Sequence, residues 1–199
     1  MRHLLAHASG LPFEGSVPIA RPGRRRIYSN SGFEVLAKVV EAAAGMAFGV
    51  YLAEAVLQPV GLPETRMEGT AAAGLVGPLA DLLTFAQELL RPTLVAPSTF
   101  ATMTTVTFPG LAGVLPGVGR FDPNDWGLGF ELRDDKSPHW TGSRNSPETY
   151  GHFGGSGSFV WVDPKAEVAC ASLSDREFGP WALEAWPVLS DAVLEEVGF

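Results

Sequence analysis

Basic residues are in deficit: 14 lysines and arginines face 22 acidic residues, for a formal net charge of -8. A surface of that sign repels phosphate backbones, so no nucleic-acid partner is expected. Cysteine is all but missing. Cys170 stands alone, which excludes an intrachain disulfide and leaves the redox compartment open. Within its apolar run it reads as a packed thiol, not a nucleophile. Long apolar runs are missing as well. The longest window, around Ala71 to Phe85, is broken by Pro78 and Asp81, so no membrane span is expected. Met1 to His7 has too short an apolar centre for a secretory leader. If Met1 is the genuine start, a cytoplasmic protein is expected; if it is not, a targeting segment upstream stays open. Internal repeats and low-complexity tracts are absent. So is a convincing metal-ligand set. His3 and His7 would share a helical face, but no acid lies between them and no third ligand follows, so they read as packing or hydrogen-bonding groups. No metal and no organic cofactor is expected.

What is present is enough apolar material for a core. The 199 residues are 46% hydrophobic and 18% charged, the profile of one domain or one two-lobed unit. Residues 2–7 read as the end of a helix, and 8–27, with Pro12, Pro18, Pro22, Gly15 and Gly23, as an irregular loop. Arg24-Arg25-Arg26 is the sole basic run and reads as a solvated stretch of that loop, not an anion clamp. Ser31 and Glu34 have the spacing of a capping box, Ser31 at the N-cap, for a helix burying Phe33, Leu36, Ala37, Val40 and Ala44 and closed by Gly45. Further helices are expected from Phe48 to Leu57, from Pro78 to Pro92 (stacking Leu79, Leu82, Leu83, Ala86 and Leu90), and briefly after Pro97.

Residues 106–125 are rich in glycine and proline and mark a change of architecture. Beyond them the period shortens to that of strands: Trp126 to Leu132, Tyr150 to Gly154, Phe159 to Val162 and Val168 to Leu173, the last two joined by a tight turn at 163–166. Residues 133–149 read as a polar loop with His139 exposed. Pro180 opens a closing helix. The predicted class is α+β: a mostly helical lobe in 1–105, a connection in 106–125, antiparallel strands and a covering helix in 126–199.

Two stretches concentrate chemistry. Tyr28-Ser29-Asn30 stands at the start of a helix, near its positive end. Gly151-His152-Phe153-Gly154-Gly155 ends a strand with bare backbone. Tyr28 and His152 can take or give protons, Asn30 can donate and accept hydrogen bonds, and glycine N–H groups can approach a ligand closely. Together they supply most of an acyl-transfer site but no attacking group. Each also has a plainer reading: Tyr28 as a half-buried loop tyrosine, Asn30 as an auxiliary cap, His152 as a structural histidine.

Order adds meaning to these pieces. The stretch from Arg2 through His7-Ala8-Ser9-Gly10 to Leu11 resembles the signature following the nucleophile helix of beta-lactamase-related serine hydrolases. Pro22-Gly23 with Tyr28-Ser29-Asn30 is similar to that family's Tyr-x-Asn motif, and Ala73-Gly74-Leu75-Val76 with Asp81-Leu82 to its helical-lobe segment. Trp126-Gly-Leu-Gly129 and His152-Phe153-Gly154 resemble its third motif and the strand before it, in the His-x-Gly form of the esterase and peptidase branches. The resemblance implies a beta-lactamase/transpeptidase-like fold and a small ester, amide or peptide substrate handled through an acyl-enzyme. It implies Tyr28 as proton-transfer partner and Asn30 as holder of the substrate amide or a lysine. It further implies His152 as acyl-binding or leaving-group residue, and Gly154-Gly155 as substrate-binding and oxyanion backbone.

One part is absent. The lysines are Lys38, Lys136 and Lys165, and Val35, Arg133 and Val162 stand three residues before them, so the family's Ser-x-x-Lys does not occur. Gly-x-Ser-x-Gly is missing too, because Ser158 follows Ser156 where glycine is needed. The expectation is an incomplete domain, 1–199, that lacks its nucleophile and is inactive as written, with Met1 a start assigned inside a longer frame. The alternative is a non-catalytic binding module or pseudo-enzyme remnant; a third reading is an unrelated small-molecule binder. Without the family's first helix and strands, the helical lobe should show an apolar groove. The sheet should show an unpaired edge open to self-association.

Overall fold

The computed structural model describes residues 1–199. Helix α1 (Arg2–Leu5) leads into a long loop that ends in strand β1 (Arg26–Ile27), followed by α2 (Asn30–Ala44). Helix α3 (Phe48–Leu52) continues through one π-helical turn, Ala53–Leu57, into α4 (Gln58–Val60). The helical run therefore passes through Pro59 and stops at the left-handed Gly61, beyond the expected end at Leu57. Pro59 lies inside this continuous run, directly after the π-helical turn. Strands β2 (Arg66–Met67) and β3 (Leu75–Val76) make a two-stranded ribbon. Helices α5 (Leu79–Leu90) and α6 (Pro97–Met103) complete the lobe. No single helix is long and apolar enough to cross a membrane.

On α5 the buried positions are Asp81, Ala86 and Leu89, whereas Leu79 and Leu83 are exposed. Of the expected stripe Ala86 is buried and Leu82 and Leu90 are half-buried, and Phe85 and Leu89 join them against the sheet, so the buried face is turned partly away from the expected one. Residues 106–125 are more than a connection. They form the hairpin β4 (Gly113–Leu115) and β5 (Gly119–Phe121), and β4 pairs in parallel with β1. A run of two residues such as β1 has no periodicity to detect, which is why 8–27 reads as loop throughout.

The second lobe is an antiparallel sheet in the order β6-β7-β8-β9: Glu131–Leu132, Tyr150–Phe153, Phe159–Asp163 and Val168–Ser172. The expected strand over 126–132 is reduced to β6. Trp126 bridges back to Glu131 and Gly129 takes a left-handed φ of 92°, so the segment turns on itself. Side chains alternate across the sheet. Phe153, Phe159 and Trp161 meet α7 (Pro180–Glu196) through Ala182, Trp186 and Leu194. Tyr150, Val160 and Val162 face α5, where the Tyr150 hydroxyl donates to the Leu89 carbonyl at 2.8 Å. His152 shares that second face and so points into the space between the lobes. Strand β9 pairs with β8 alone, leaving its other edge unpaired.

Residues 133–149 have no regular structure, yet much of their side-chain mass is interior. His139 is 8% exposed, contrary to the solvent position expected for it. Its Nδ1 accepts from the Thr141 N–H at 3.1 Å, so the proton sits on Nε2, which donates to Glu131 at 3.0 Å. Glu131 also pairs with Lys136 at 2.7 Å and accepts from the Trp140 indole at 3.1 Å. A buried carboxylate demands such partners, and its position on β6 is not apparent from the local sequence. Asp163 closes the segment by accepting from the N–H and hydroxyl of Ser146 at 2.6 and 2.7 Å and from the Thr149 hydroxyl at 3.0 Å.

Candidate active site

The start of α2 is set from beneath by Arg26. This residue is 2% exposed, not solvated. Its guanidinium donates to the carbonyls of Ala6, Thr107, Asn124 and Phe108 at 2.7, 2.8, 2.9 and 3.1 Å. Arg26 thus ties α1, the segment after α6 and the residues before Trp126 to β1, two residues from Tyr28. Desolvation lowers its pKa to about 10, so it stays charged at neutral pH.

Ser29, not Ser31, caps α2. Its hydroxyl accepts from the Gly32 N–H at 2.9 Å and donates to the Pro12 carbonyl at 2.6 Å. Glu34 does not complete a capping box; its carboxylate accepts from the Ala72 N–H at 3.0 Å instead. Ser31 has the glutamate three residues on, but it is Ser29 that is tied to Pro12 and holds the cap. Asn30 is consequently the first helical residue and not part of the extended segment before the helix.

His7 holds this start in place. Its Nδ1 accepts from the Ser29 N–H at 3.1 Å, and its ring lies 4.4 Å from Tyr28 and 4.5 Å from Trp126. Burial first, then the neighbouring His152 and Arg26, push its pKa well below the ordinary value. His7 is therefore neutral, with its proton on Nε2. It was legible only as a packing or hydrogen-bonding histidine; the backbone it serves lies 22 residues on.

Against this frame Tyr28 reaches across to the sheet. Its hydroxyl lies 2.9 Å from His152 Nε2. Trp126 stands edge-on beside His152, centroids 5.6 Å apart. Burial lowers the His152 pKa to about 4 against a smaller opposing pull from Glu131, and raises that of Tyr28. Both groups are neutral at pH 7, a phenol against an imidazole. The other imidazole nitrogen, Nδ1, is buried without a partner.

All five residues singled out in the sequence, Tyr28, Asn30, His152, Gly154 and Gly155, line one cavity of about 630 Å³. Gly155 donates no backbone hydrogen bond within the protein, while its carbonyl accepts from Phe178 at 3.0 Å. A β-carbon there would meet nothing within 4 Å, so its N–H is free for a ligand oxygen. The cavity holds no lysine, and apart from Tyr28 its one hydroxyl is that of Ser156. A second space of about 470 Å³ adjoins it through His152 and Gly154, walled by Leu52, Val56, Leu57, Leu82 and Phe85. This apolar space lies between the helices and the sheet, not within the helical lobe alone.

The family model described as Beta-lactamase matches residues 1–194. The chain belongs to the beta-lactamase family. A beta-lactamase from Mycobacterium bovis is 56% identical; the match covers 100% of this chain and 74% of that one, with a TM-score of 0.96. Simvastatin synthase from Aspergillus terreus shares the fold at 17% identity and a TM-score of 0.80, over 98% of this chain and 68% of that one. Penicillin-binding protein 4* of Bacillus subtilis is 29% identical over 34% of this chain, a match spanning only 21% of that protein. For a beta-lactamase-family chain, the fold class and the serine-hydrolase kinship are those expected from the motif order.

Proposed function

We propose that this chain carries the proton-transfer, oxyanion and substrate-binding half of an acyl-transfer site and, lacking an alcohol paired with an activating lysine, does not turn over. One observation carries the reading: the Tyr28 hydroxyl and His152 Nε2 lie 2.9 Å apart in a cavity also lined by Asn30, Gly154 and Gly155. In such a site a hydroxyl attacks an ester or amide carbonyl while a base takes its proton and N–H donors hold the oxyanion. Tyr28 and Gly155 suit the last two tasks, Asn30 the holding of an amide, and His152 the leaving group.

What is missing is also physical. Burial raises the Tyr28 pKa, and no neighbouring charge offsets it. A phenol in that state is a poor base. An ammonium within about 4–6 Å would bring it down, and no lysine lines the cavity. We read residues 1–199 as one such domain without its nucleophile-bearing helix; the apolar groove beside α5 and the unpaired edge of β9 support this. That edge is also the expected route of self-association. The preformed cavity favours, as second reading, a module that binds an ester, amide or peptide without cleaving it.

Intact-mass analysis after exposure to a serine-directed phosphonate tests the proposal. No covalent adduct is expected. An adduct on Ser156 or Ser158 would mean that the chain has a working nucleophile and that the roles above are wrong.

A further inference from the structure

The small sheet has two faces, and only one has been used. In the register of β1, β4 and β5, Arg26 aligns with Gly113 and Phe121, while Ile27 aligns with Val114 and Arg120. Side chains in one row share a face. The first row goes inward, Arg26 to its carbonyls and Phe121 to the core. The second row goes outward, with Val114 54% exposed. Arg25, in the bend just before the strand, lines the space beside that face.

This face borders a cavity of about 610 Å³ whose walls include Phe13, Ile19 and Val114 and whose charged groups are Arg25, Arg26 and Arg120. No acidic side chain lines it. The Arg26 guanidinium is turned away, and neither Arg25 nor Arg120 enters an ion pair. The cavity is continuous with the candidate active site: Phe13, Tyr28 and Pro116 line both.

From this we infer a subsite for an anionic group borne on an apolar body, with Arg25 and Arg120 reading the anion and Phe13, Ile19 and Val114 covering the body. A ligand so held extends past Tyr28 into the cleft. As a statement of substrate class, an ester or amide carrying a carboxylate remote from the reacting carbonyl, this rests on the acyl-transfer reading. As a statement about binding it stands alone.

The test is therefore equilibrium binding to the intact chain, with N-acetylphenylalanine as carboxylate probe and N-acetylphenylalaninamide as its neutral match. Exposed ion pairs are worth about 0.2–1 kcal/mol each, so with two of them the carboxylate should bind about 2- to 30-fold tighter. The preference should fade as salt approaches about 0.5 M. Arg25→Gln with Arg120→Gln, two substitutions at surface positions, should abolish it. Arg24→Gln, outside the cavity, should leave it intact. Equal binding of the two probes, a preference surviving the double substitution, or one lost with Arg24 would overturn the subsite. A phosphonate adduct on Ser156 would end the inactivity proposal without moving these ratios.

Discussion

Lowering the pH should weaken this fold through its histidines before its carboxylates contribute. His152 falls from 6.5 unfolded to about 4 folded. The sign follows directly: below pH 6.5 the unfolded chain takes up a proton that the folded chain refuses, so stability is lost as pH falls. One pKa unit is about 1.4 kcal/mol, so the full effect is about 3 kcal/mol, of which about 2 kcal/mol is lost between about pH 7.5 and about pH 5. His7, whose pKa is also lowered and which lies beside His152, adds in the same direction. The carboxylates with depressed values, Glu131 and Asp163, lose their contribution only at lower pH, and the raised Asp125 opposes the trend. Urea unfolding at the two pH values measures the difference. In His152→Gln, where the amide can still face Tyr28, the drop should shrink by about 2 kcal/mol. An equal drop in both proteins would refute the burial of a neutral imidazole at this position.

Three further outcomes are expected. Arg26→Met should leave four buried carbonyls without their donor; at about 1–3 kcal/mol for each unsatisfied group, that rivals total domain stability, and the soluble yield should collapse. Ser29→Ala should lower stability by about 1–2 kcal/mol in urea unfolding, because the cap is lost together with the link to Pro12. Ser31→Ala should cost far less, a contrast that separates the observed cap from the capping box suggested by spacing. Gly151→Ala would drive a methyl to 2.2 Å from the Val160 carbonyl oxygen, so the β7–β8 pairing and the thermal midpoint should both fall.

Legibility tracked range. The hydrophobic strands Phe159–Asp163 and Val168–Ser172 and helix Leu79–Leu90 carry their own period, and Tyr28, Asn30, His152 and the two glycines stand in recognisable order. What could not be seen depends on partners far along the chain. Strand β1 is defined by pairing with residues 113–114. Arg26 resembles its solvated neighbours Arg24 and Arg25 until Asn124, 98 positions away, claims it. His139 is polar by type and interior because Glu131 needs a donor. Ser31 has the capping-box spacing, yet Ser29 caps the helix because it lies within reach of Pro12.

The tethered segment between β6 and β7 has a practical corollary. Although 133–149 lacks regular structure, Lys136, His139, Trp140, Asn145 and Thr149 are interior, whereas 13–19 is open to solvent with Val17 74% exposed. Added proteases should therefore nick the chain near Val17 and spare the longer irregular stretch. Tags or inserted epitopes belong in the former and would wreck the molecule in the latter.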